Sequence, residues 1–410
     1  MQLPVFLRVV CVHYNQKGLS KMKTSANGTK RKQDLQRFEI VGSLPEDSDK
    51  KKKPRESKNP LINCSMVLDA GSKRIKCLLN NYPNTIDSIY KEVKGELPSG
   101  MAGCFRYKGK NYVVGRGCDA VLGELVEAQK DNKIKKLDVW LLGALTSDPD
   151  FLDELLEDKK NRYKSKPIRL GVDIKLLSLS SNRQGDITKI LQGIEGFIYR
   201  GREFAVEFKN LEEEFIYSEG YGAALTARKS LSTEAGSFAV LDLGGGTLTL
   251  TTYKIGRNLP KVLNRSVASG GGMQDLARQI FISLNKTDIG GETKSLNSIF
   301  EALKACRVDE NGEYLVPYRV GNKTENITES VLDGISNWIV DNPSIADILT
   351  KSSQVMVSGG FVFATGGGFA SKIIGDRLQS LITNAVSHGQ FQILENPDVI
   401  NILGMKYLNQ

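Results

Sequence analysis

The sequence contains few of the residues on which many enzymes depend. Its only histidines are His13 and His388, which leaves little room for a Ser-His-Asp or Cys-His mechanism. Its six cysteines show no C-x-x-C spacing, so neither a zinc site nor a disulfide framework is predicted, and a reducing cytoplasm is the expected location. Carboxylates, hydroxyls and backbone amides are the remaining candidates for chemistry.

Two further absences narrow the class of protein. No apolar run is long enough to span a bilayer, and residues 1–14 lack the basic leading region and small-residue cleavage site of a secretory signal. There is no G-x-x-x-x-G-K-[ST] motif, which disfavours a P-loop fold. At 410 residues, of which 40% are hydrophobic and 25% charged, the chain is expected to form two globular domains.

Most of the net charge of +9 lies in the first 60 residues, which carry 14 Lys and Arg against 6 Asp and Glu. Low hydrophobicity and high charge predict a basic disordered tail over residues 1–60, with Met22 as an alternative start. The tail is either a solvated segment that maintains solubility or an arm for nucleic acid, an acidic partner or a neighbouring subunit.

Two segments run from an apolar strand into a glycine-rich turn, with an aspartate at the junction. They are residues 67–73 (VLDAGSK) and 240–247 (VLDLGGGT). Glycine lets backbone N–H groups approach phosphate oxygens, whereas Asp69 and Asp242 can face phosphate only through a cation. The pattern predicts Mg²⁺, held by the two aspartates largely through water. Two such turns in one chain indicate a duplicated fold that clamps one nucleotide.

The rest of the chain alternates between strand and helix patterns. Residues 119–165 are expected to be mainly helical with a break at residues 147–149, and residues 217–230 to form an alanine-rich helix. Strands are predicted at residues 65–68, 75–79, 108–115 (a hairpin), 169–177, 193–206 (two strands) and 237–253 (a hairpin).

Several segments, taken in their order along the chain, resemble the actin-like ATPase superfamily, specifically the bacterial actins of the plasmid-segregation (ParM-like) type. The resemblance covers about 350 residues and omits only the tail. It implies an α/β fold of two ribonuclease-H-like (actin-like) domains, each a mixed five-stranded sheet with flanking helices, around a nucleotide cleft. Domain I would comprise residues 61–230 with a C-terminal helix at 393–410, and domain II residues 231–392.

The resemblance also implies roles for the first phosphate loop and the segment after it. Gly71, Ser72 and Lys73 would lie against the β- and γ-phosphates, and Lys76 would reach the phosphates from the next strand. The alternative for Lys76 is a solvent-exposed lysine on an edge strand.

The catalytic set implied by the resemblance is Glu219, Asp242 and Asp69. Glu219, at the start of the helix that crosses between the halves, would orient the attacking water. Its alternative role is a first-turn acid that complements the helix dipole. The second loop would wrap the phosphates with its glycines and threonine: Gly244, Gly245, Gly246 and Thr247.

Three further segments are assigned to the nucleoside by resemblance. Gly271 and Gly272 precede a helix whose first amides can meet ribose or phosphate. Glu301 and Lys304 would contact the adenine and ribose, although an ordinary i,i+3 ion pair is equally compatible with the spacing. The adenosine turn would use three glycines: Gly366, Gly367 and Gly368.

A closing helix at residues 396–406 would return the chain to the first half, and Gly404 would permit close packing there.

The expected function is ATP hydrolysis with Mg²⁺, coupled to self-association into filaments, for plasmid or DNA segregation through a DNA-bound adaptor or for cytoskeletal positioning. Two alternatives remain open. One is a non-polymerising, nucleotide-switched adaptor or chaperone-like protein, and the other is a small-molecule kinase of the same superfold.

Overall fold

The computed structural model describes residues 60–71, 73–128, 132–158, 161, 166–179, 181–233, 236–256, 259–287, 295–384 and 390–408. The predicted tail, Ser72 and His388 lie outside these residues, except for Pro60 at the end of the tail. Among the described residues, no helix has the length and apolar character needed to cross a membrane.

Strands and helices follow one another along the chain. The strands are β1 (Leu61–Ala70), β2 (Arg74–Leu79), β3 (Tyr82–Asp87), β4 (Ile89–Val93), β5 (Cys104–Tyr107), β6 (Lys110–Val114), β7 (Leu125–Glu127), β8 (Ile168–Leu177), β9 (Gly196–Tyr199), β10 (Arg202–Phe208), β11 (Ile216–Tyr217), β12 (Ser237–Leu243), β13 (Thr247–Lys254), β14 (Lys261–Ser269), β15 (Arg307–Val308), β16 (Tyr314–Leu315), β17 (Pro317–Val320), β18 (Lys323–Asn326), β19 (Phe361–Thr365) and β20 (Gln390–Ile393). The α-helices are α1 (Asn132–Lys135), α2 (Leu137–Thr146), α3 (Pro149–Glu157), α4 (Gln184–Gln192), α5 (Tyr221–Ser230), α6 (Met273–Asn285), α7 (Leu296–Lys304), α8 (Thr328–Asp341), α9 (Pro343–Val357), α10 (Lys372–Thr383) and α11 (Ile400–Leu403).

The two large sheets share one topology. The second sheet has the order β14-β13-β12-β19-β20, in which β14, β13 and β12 are antiparallel and β19 and β20 run parallel to β12. Five strands of the first sheet repeat this arrangement in the order β3-β2-β1-β8-β10. The predicted duplication of a mixed five-stranded sheet is therefore confirmed.

The first sheet is larger than the sequence predicted. Beyond β10 it continues through β9, β5, β6, β4 and β7, while β11 pairs with β8, so that it has eleven strands rather than five. This extension depends on pairings between segments distant in sequence, such as β5 with β9, which local alternation of apolar and polar residues does not reveal.

Each sheet has its own hydrophobic core. In the first half, α2 buries Trp140 against a cluster that includes Leu68 and Val172 of the central strands. In the second half, Leu241 of β12 packs in a cluster with Ile280 of α6 and Trp338 of α8. Helices that cover a sheet explain why the central strands are apolar on both faces.

Most of the predicted secondary structure is confirmed, with two local differences in the first half. Residues 119–165 contain β7 as well as α1, α2 and α3, although the break at residues 147–149 separates α2 from α3 as expected. The helix predicted to start at residue 217 begins at Tyr221, because Tyr217 belongs to β11 and Gly220 adopts a left-handed conformation with φ of 80°.

The last described segment packs on the first half, but the helix predicted at residues 396–406, and at 393–410 in the domain assignment, is shorter: β20 extends to Ile393, and only Ile400–Leu403 is α-helical. α11 and the short 3₁₀ turn Gly404–Tyr407 pack on α5, and Ile402 is buried in a cluster with Val67 and Leu225. A side chain on Gly404 would collide with the carbonyl oxygen of Gly222. The expected close packing at Gly404 is therefore confirmed.

Candidate functional site

The duplicated topology places two aspartates at equivalent positions. Asp69 is the penultimate residue of β1 and Asp242 the penultimate residue of β12. Each strand is the middle strand of its five-stranded arrangement and leads directly into one of the two predicted phosphate loops. The two loops are therefore the same structural element in two copies.

Asp69 is buried and surrounded by donors. Ser178 donates its hydroxyl to Oδ1 of Asp69 at 2.6 Å, and Nδ2 of Asn401 donates to Oδ2 at 3.5 Å. Nζ of Lys76 lies 4.0 Å from the same Oδ2. Since β2 is paired on both sides, with β1 and β3, Lys76 is not an edge-strand lysine, and that alternative is wrong.

The second loop, Gly244–Gly246, is supported from beneath by the start of α6. Its three carbonyl oxygens accept hydrogen bonds from the N–H groups of Met273 (3.0 Å), Gln274 (2.9 Å) and Gly270 (3.2 Å). A Cβ on Gly272 would lie only 2.7 Å from the carbonyl carbon of Gly245. The glycines before α6 thus shape the second loop, while the predicted contact of Gly271 and Gly272 with nucleotide stays a prediction.

The two loops and Glu219 converge. A Cβ built on Gly245 would lie 3.3 Å from Cγ of Lys73 in the first loop, and one built on Gly244 would lie 3.8 Å from Oε1 of Glu219. The structure therefore brings together one residue of each loop and the predicted water-orienting carboxylate.

Glu219 lies in the turn before α5 and pairs with a residue of the other half. Nη2 of Arg265, on β14, donates to Oε2 of Glu219 at 2.9 Å. Burial and the nearby Asp69 carboxylate raise the pKa of Glu219, while Arg265, Lys133 and Lys76 act in the opposite direction. The ion pair thus links the catalytic candidate of the first half to an outer strand of the second sheet.

Asp242 has a less favourable environment than Asp69. Burial, with Glu219 and Asp69 as neighbouring negative charges, raises the pKa of Asp242 to about 7, against an opposing effect of Lys76 and Arg265. Because the negative charges of Glu219 and Asp69 contribute to the raised pKa of Asp242, a cation would stabilise this site.

The side chains at this site could supply only some of the ligands of a magnesium ion. Among the described residues, no three His, Cys, Asp or Glu side chains lie close enough together to enclose a metal. Mg²⁺ commonly takes one or two carboxylates and fills its other positions with water and substrate phosphate. Asp69 and Asp242 suit that mode. The raised pKa of Asp242 shows that its ionised form is unfavourable in the protein alone, and a bound cation would stabilise that form.

The predicted nucleoside end is more open. Nζ of Lys304 lies 2.5 Å from Oε1 of Glu301, so the two residues form an exposed i,i+3 ion pair. The hydrogen bond from Lys304 lowers the pKa of Glu301, and Arg74 and Arg116 of the first half contribute in the same direction. These two arginines also line a cavity of about 450 Å³ beside the first loop.

The adenosine turn contains glycines of two kinds. Gly366 adopts φ of 96° and donates to the carbonyl oxygen of Pro397 at 2.8 Å, and a side chain there would collide with Asp242. Gly368 lies against the side chain of Leu243. Gly367 is exposed, and no atom lies within 4 Å of where its Cβ would be. Close packing therefore explains why residues 366 and 368 are glycines. At Gly367 the surface is open, and packing does not require a glycine there.

Four residues at the site were not predicted from the sequence: Arg265, Lys133, Ser178 and Asn401. Burial lowers the pKa of Lys133, and the negative charges of Asp69 and Glu219 oppose this effect. Ser178 follows β8 with φ of 62°, an unusual conformation for a serine. No local motif marks any of the four, since each reaches the site from a different part of the chain.

The sequence has no match among protein-family models or among curated proteins. Comparison with solved structures does give matches. A 15-stranded ParM filament from Clostridium botulinum matches with a TM-score of 0.57 at 14% identity, over 85% of this chain and 99% of that one. An archaeal actin homologue matches with a TM-score of 0.55 at 16% identity, over 84% and 98%. Bacillus thuringiensis ParM with AMPPNP matches with a TM-score of 0.52 at 14% identity, over 86% and 98%. Likeness at this identity establishes the fold.

Proposed function

We propose that this chain, which has the actin-like fold of the ParM type, binds ATP with Mg²⁺ between its two phosphate loops and hydrolyses it. The observation that carries the proposal is the convergence of Lys73, Gly244 and Gly245 with Glu219 next to two equivalent aspartates. A duplicated strand-to-loop element suits one triphosphate held from two sides.

The lysines, loop residues and aspartates of the site would have different roles in phosphoryl transfer to water. Lys73 and Lys76 would neutralise phosphate charge, and the small residues of both loops would admit phosphate oxygens to backbone amides. The loop residues proposed for this contact are Gly71, Ser72, Gly244, Gly245, Gly246 and Thr247. Asp69 and Asp242 would hold Mg²⁺ through water, and the ion would supply charge stabilisation at the phosphates.

Glu219 is the proposed water-orienting group. Its carboxylate is the stronger hydrogen-bond acceptor and the stronger base when it is ionised, and Arg265 favours that state against burial and Asp69. We place the base and ribose near Glu301, Lys304 and the Gly366–Gly368 turn, where Gly367 leaves room.

The nucleotide state would act as a switch for self-assembly. The fold is shared with a ParM filament and with a ParM bound to AMPPNP, which supports nucleotide-dependent filaments as part of this proposal. A role in DNA segregation through an adaptor, a cytoplasmic location, a partner for the basic tail, and domain limits at residues 230 and 392 are likewise proposed.

The substitution Glu219→Gln tests the catalytic assignment. It keeps the size of the side chain but removes its charge, so ATP affinity is expected to stay within about threefold while phosphate release falls about 100-fold or more. A fluorescent ATP analogue measures binding, and a phosphate-release assay measures turnover.

Glu212→Gln, an exposed acid outside the site, is the matched control. Unchanged hydrolysis in Glu219→Gln would remove Glu219 from the mechanism, and absence of ATP binding by the wild type would overturn the proposed function. Transfer of phosphate to a small metabolite would instead support the kinase alternative.

A further inference from the structure

The second sheet ends in an exposed apolar strand. Among the described residues, β14 pairs only with β13, so its other edge has unpaired backbone groups. Val262, Leu263 and Val267 are exposed on it, with Leu263 at 56%. A nine-residue edge strand with three exposed valine and leucine side chains is a template for pairing with another chain, and proteins usually cover or blunt such edges.

The first sheet also ends in an exposed apolar segment. Within the described part of the chain, β7 pairs only with β4. Leu122, just before it, is 93% exposed, and Leu125 within it is 46% exposed. Among the residues that the structure describes, two different edges with exposed apolar side chains therefore lack a pairing strand.

The charges of the two edges are opposite. Lys261 of β14 lies directly opposite Lys254 of β13, and both are exposed. Like charges at opposed positions of an antiparallel pair destabilise it, so an acidic partner would stabilise this end of the sheet. The β7 segment supplies Glu124 and Glu127 among its apolar residues.

We propose that the edge of β14 binds the β7 segment, Leu122–Glu127, of a second copy of this chain. Apolar side chains of the two segments pack together, and Glu124 of one copy lies near Lys261 of the other. The inference rests on the proposed function, since it names the surfaces through which a nucleotide-switched assembly forms.

Pairing of β14 with β14 of another copy is disfavoured. An antiparallel pair centred on Leu263 would place Lys261 of each copy opposite Arg265 of the other. The pair would therefore contain two contacts between like charges. Such a pair would also close as a dimer. In a contact between the β14 edge of one copy and the β7 edge of another, each dimer still has one free β14 edge and one free β7 edge. Further copies can therefore bind at both ends, which gives an open chain unless the assembly closes into a ring.

The contact lies on the strand that carries Arg265, the partner of Glu219. Assembly on β14 therefore adjoins the residue that favours the ionised state of the water-orienting carboxylate. This gives a direct structural route from subunit contact to hydrolysis.

Two single substitutions test the contact, one on each edge. Leu125→Asp and Leu263→Asp each place a charge on an exposed position, so folding is expected to be retained and is checked by circular dichroism. With ATP and Mg²⁺, each variant alone should remain monomeric in sedimentation velocity. Their equimolar mixture should form a dimer and stop there, because one intact β14 and one intact β7 remain and the two substituted edges repel. Val340→Asp, at a 64% exposed valine on α8, should assemble like the wild type.

A charge exchange provides an independent readout. Glu124→Lys and Lys261→Glu should each reduce assembly about tenfold or more at a given concentration, and the double variant should recover most of it. Assembly of the single variants at wild-type level, a mixture that stays monomeric, or a wild type that never assembles would each overturn the inference. Binding of a fluorescent ATP analogue is measured in parallel, and its loss in the wild type would mark failure of the proposed function instead.

Discussion

Each half of the molecule has an aspartate at the same position of its central strand, but the two aspartates have different surroundings. Asp69 accepts hydrogen bonds from Ser178 and Asn401 and lies near Lys76. Asp242 lies next to other carboxylates, and burial beside them raises its pKa to about 7. One duplicated backbone thus supports two electrostatic roles, a carboxylate anchored by the protein and a carboxylate that is stabilised when a cation arrives.

The largest expected effect comes from neutralising each aspartate in turn. Asp69→Asn and Asp242→Asn should each reduce Mg²⁺-dependent hydrolysis about 100-fold or more. The two substitutions should change the free energy of unfolding in opposite directions. Asp69→Asn loses a hydrogen bond to a charged group and should lower the free energy of unfolding by about 1–3 kcal/mol. Asp242→Asn removes a buried charge next to two others and should raise it by about 1–2 kcal/mol at pH 8.

Urea unfolding without nucleotide at pH 8 measures both changes. Because the pKa of Asp242 is higher in the folded state than its ordinary value of 3.8, the folded protein binds more protons between these values, and stability falls as the pH rises through that range. The advantage of Asp242→Asn should therefore shrink as the pH falls from about 7 towards 3.8. Stability shifts of the same sign in both variants would break the comparison.

A smaller effect is expected from the glycines that shape the second loop. Gly272→Ala places a methyl group against the backbone of Gly245 and should lower the free energy of unfolding by about 2–3 kcal/mol. Gly367→Ala has open space around the new methyl group and should change stability by less than about 0.5 kcal/mol. If Gly367→Ala nevertheless weakens ATP binding, the open surface at Gly367 is nucleotide surface. Thermal unfolding with and without ATP separates the two effects.

The affinity for Mg²⁺ should depend on pH through Asp242. Only the carboxylate form receives a cation, so affinity should fall up to about tenfold as the pH decreases from 8 to 6, across the pKa of about 7. Titration of Mg²⁺ in the presence of a slowly hydrolysed ATP analogue measures this slope. Asp242→Asn should abolish it, and a slope that persists in that variant would assign the proton to another group.

The smallest effect concerns Arg265. Arg265→Gln removes the cation that opposes the raised pKa of Glu219, so the acidic limb of the pH–rate profile should move to higher pH. Hydrolysis should fall about two- to fivefold at pH 6 and little at pH 8. Arg265→Lys should restore most of the loss, and Arg319→Gln, an exposed arginine on β17, is the control. An equal reduction at both pH values would indicate a purely structural role.

The parts of the fold that could be predicted are those with local signals. The strands that end in Asp69 and Asp242 combine apolar runs with glycine turns, and both loops lie where the sequence placed them. The extension of the first sheet and the partners Arg265, Lys133 and Asn401 carry no such signal. Arg265 pairs with a residue 46 positions away and Asn401 with one 332 positions away, and a single sequence gives no measure of contacts at such separations.

The position of Asn401 has a consequence for how the protein is made. Oδ1 of Asn401 accepts a hydrogen bond from the N–H group of Gly222 at 3.1 Å, and Nδ2 of the same side chain donates to Oδ2 of Asp69 at 3.5 Å. A ribosome delivers residue 401 after the whole second half has emerged, so a nascent chain has the first loop without this support. Domains generally fold in the order of synthesis, yet the contact between Asn401 and Asp69 of the first half can form only after residue 401 has been added. Under the proposed function, a partly synthesised chain would therefore bind nucleotide poorly until both halves exist.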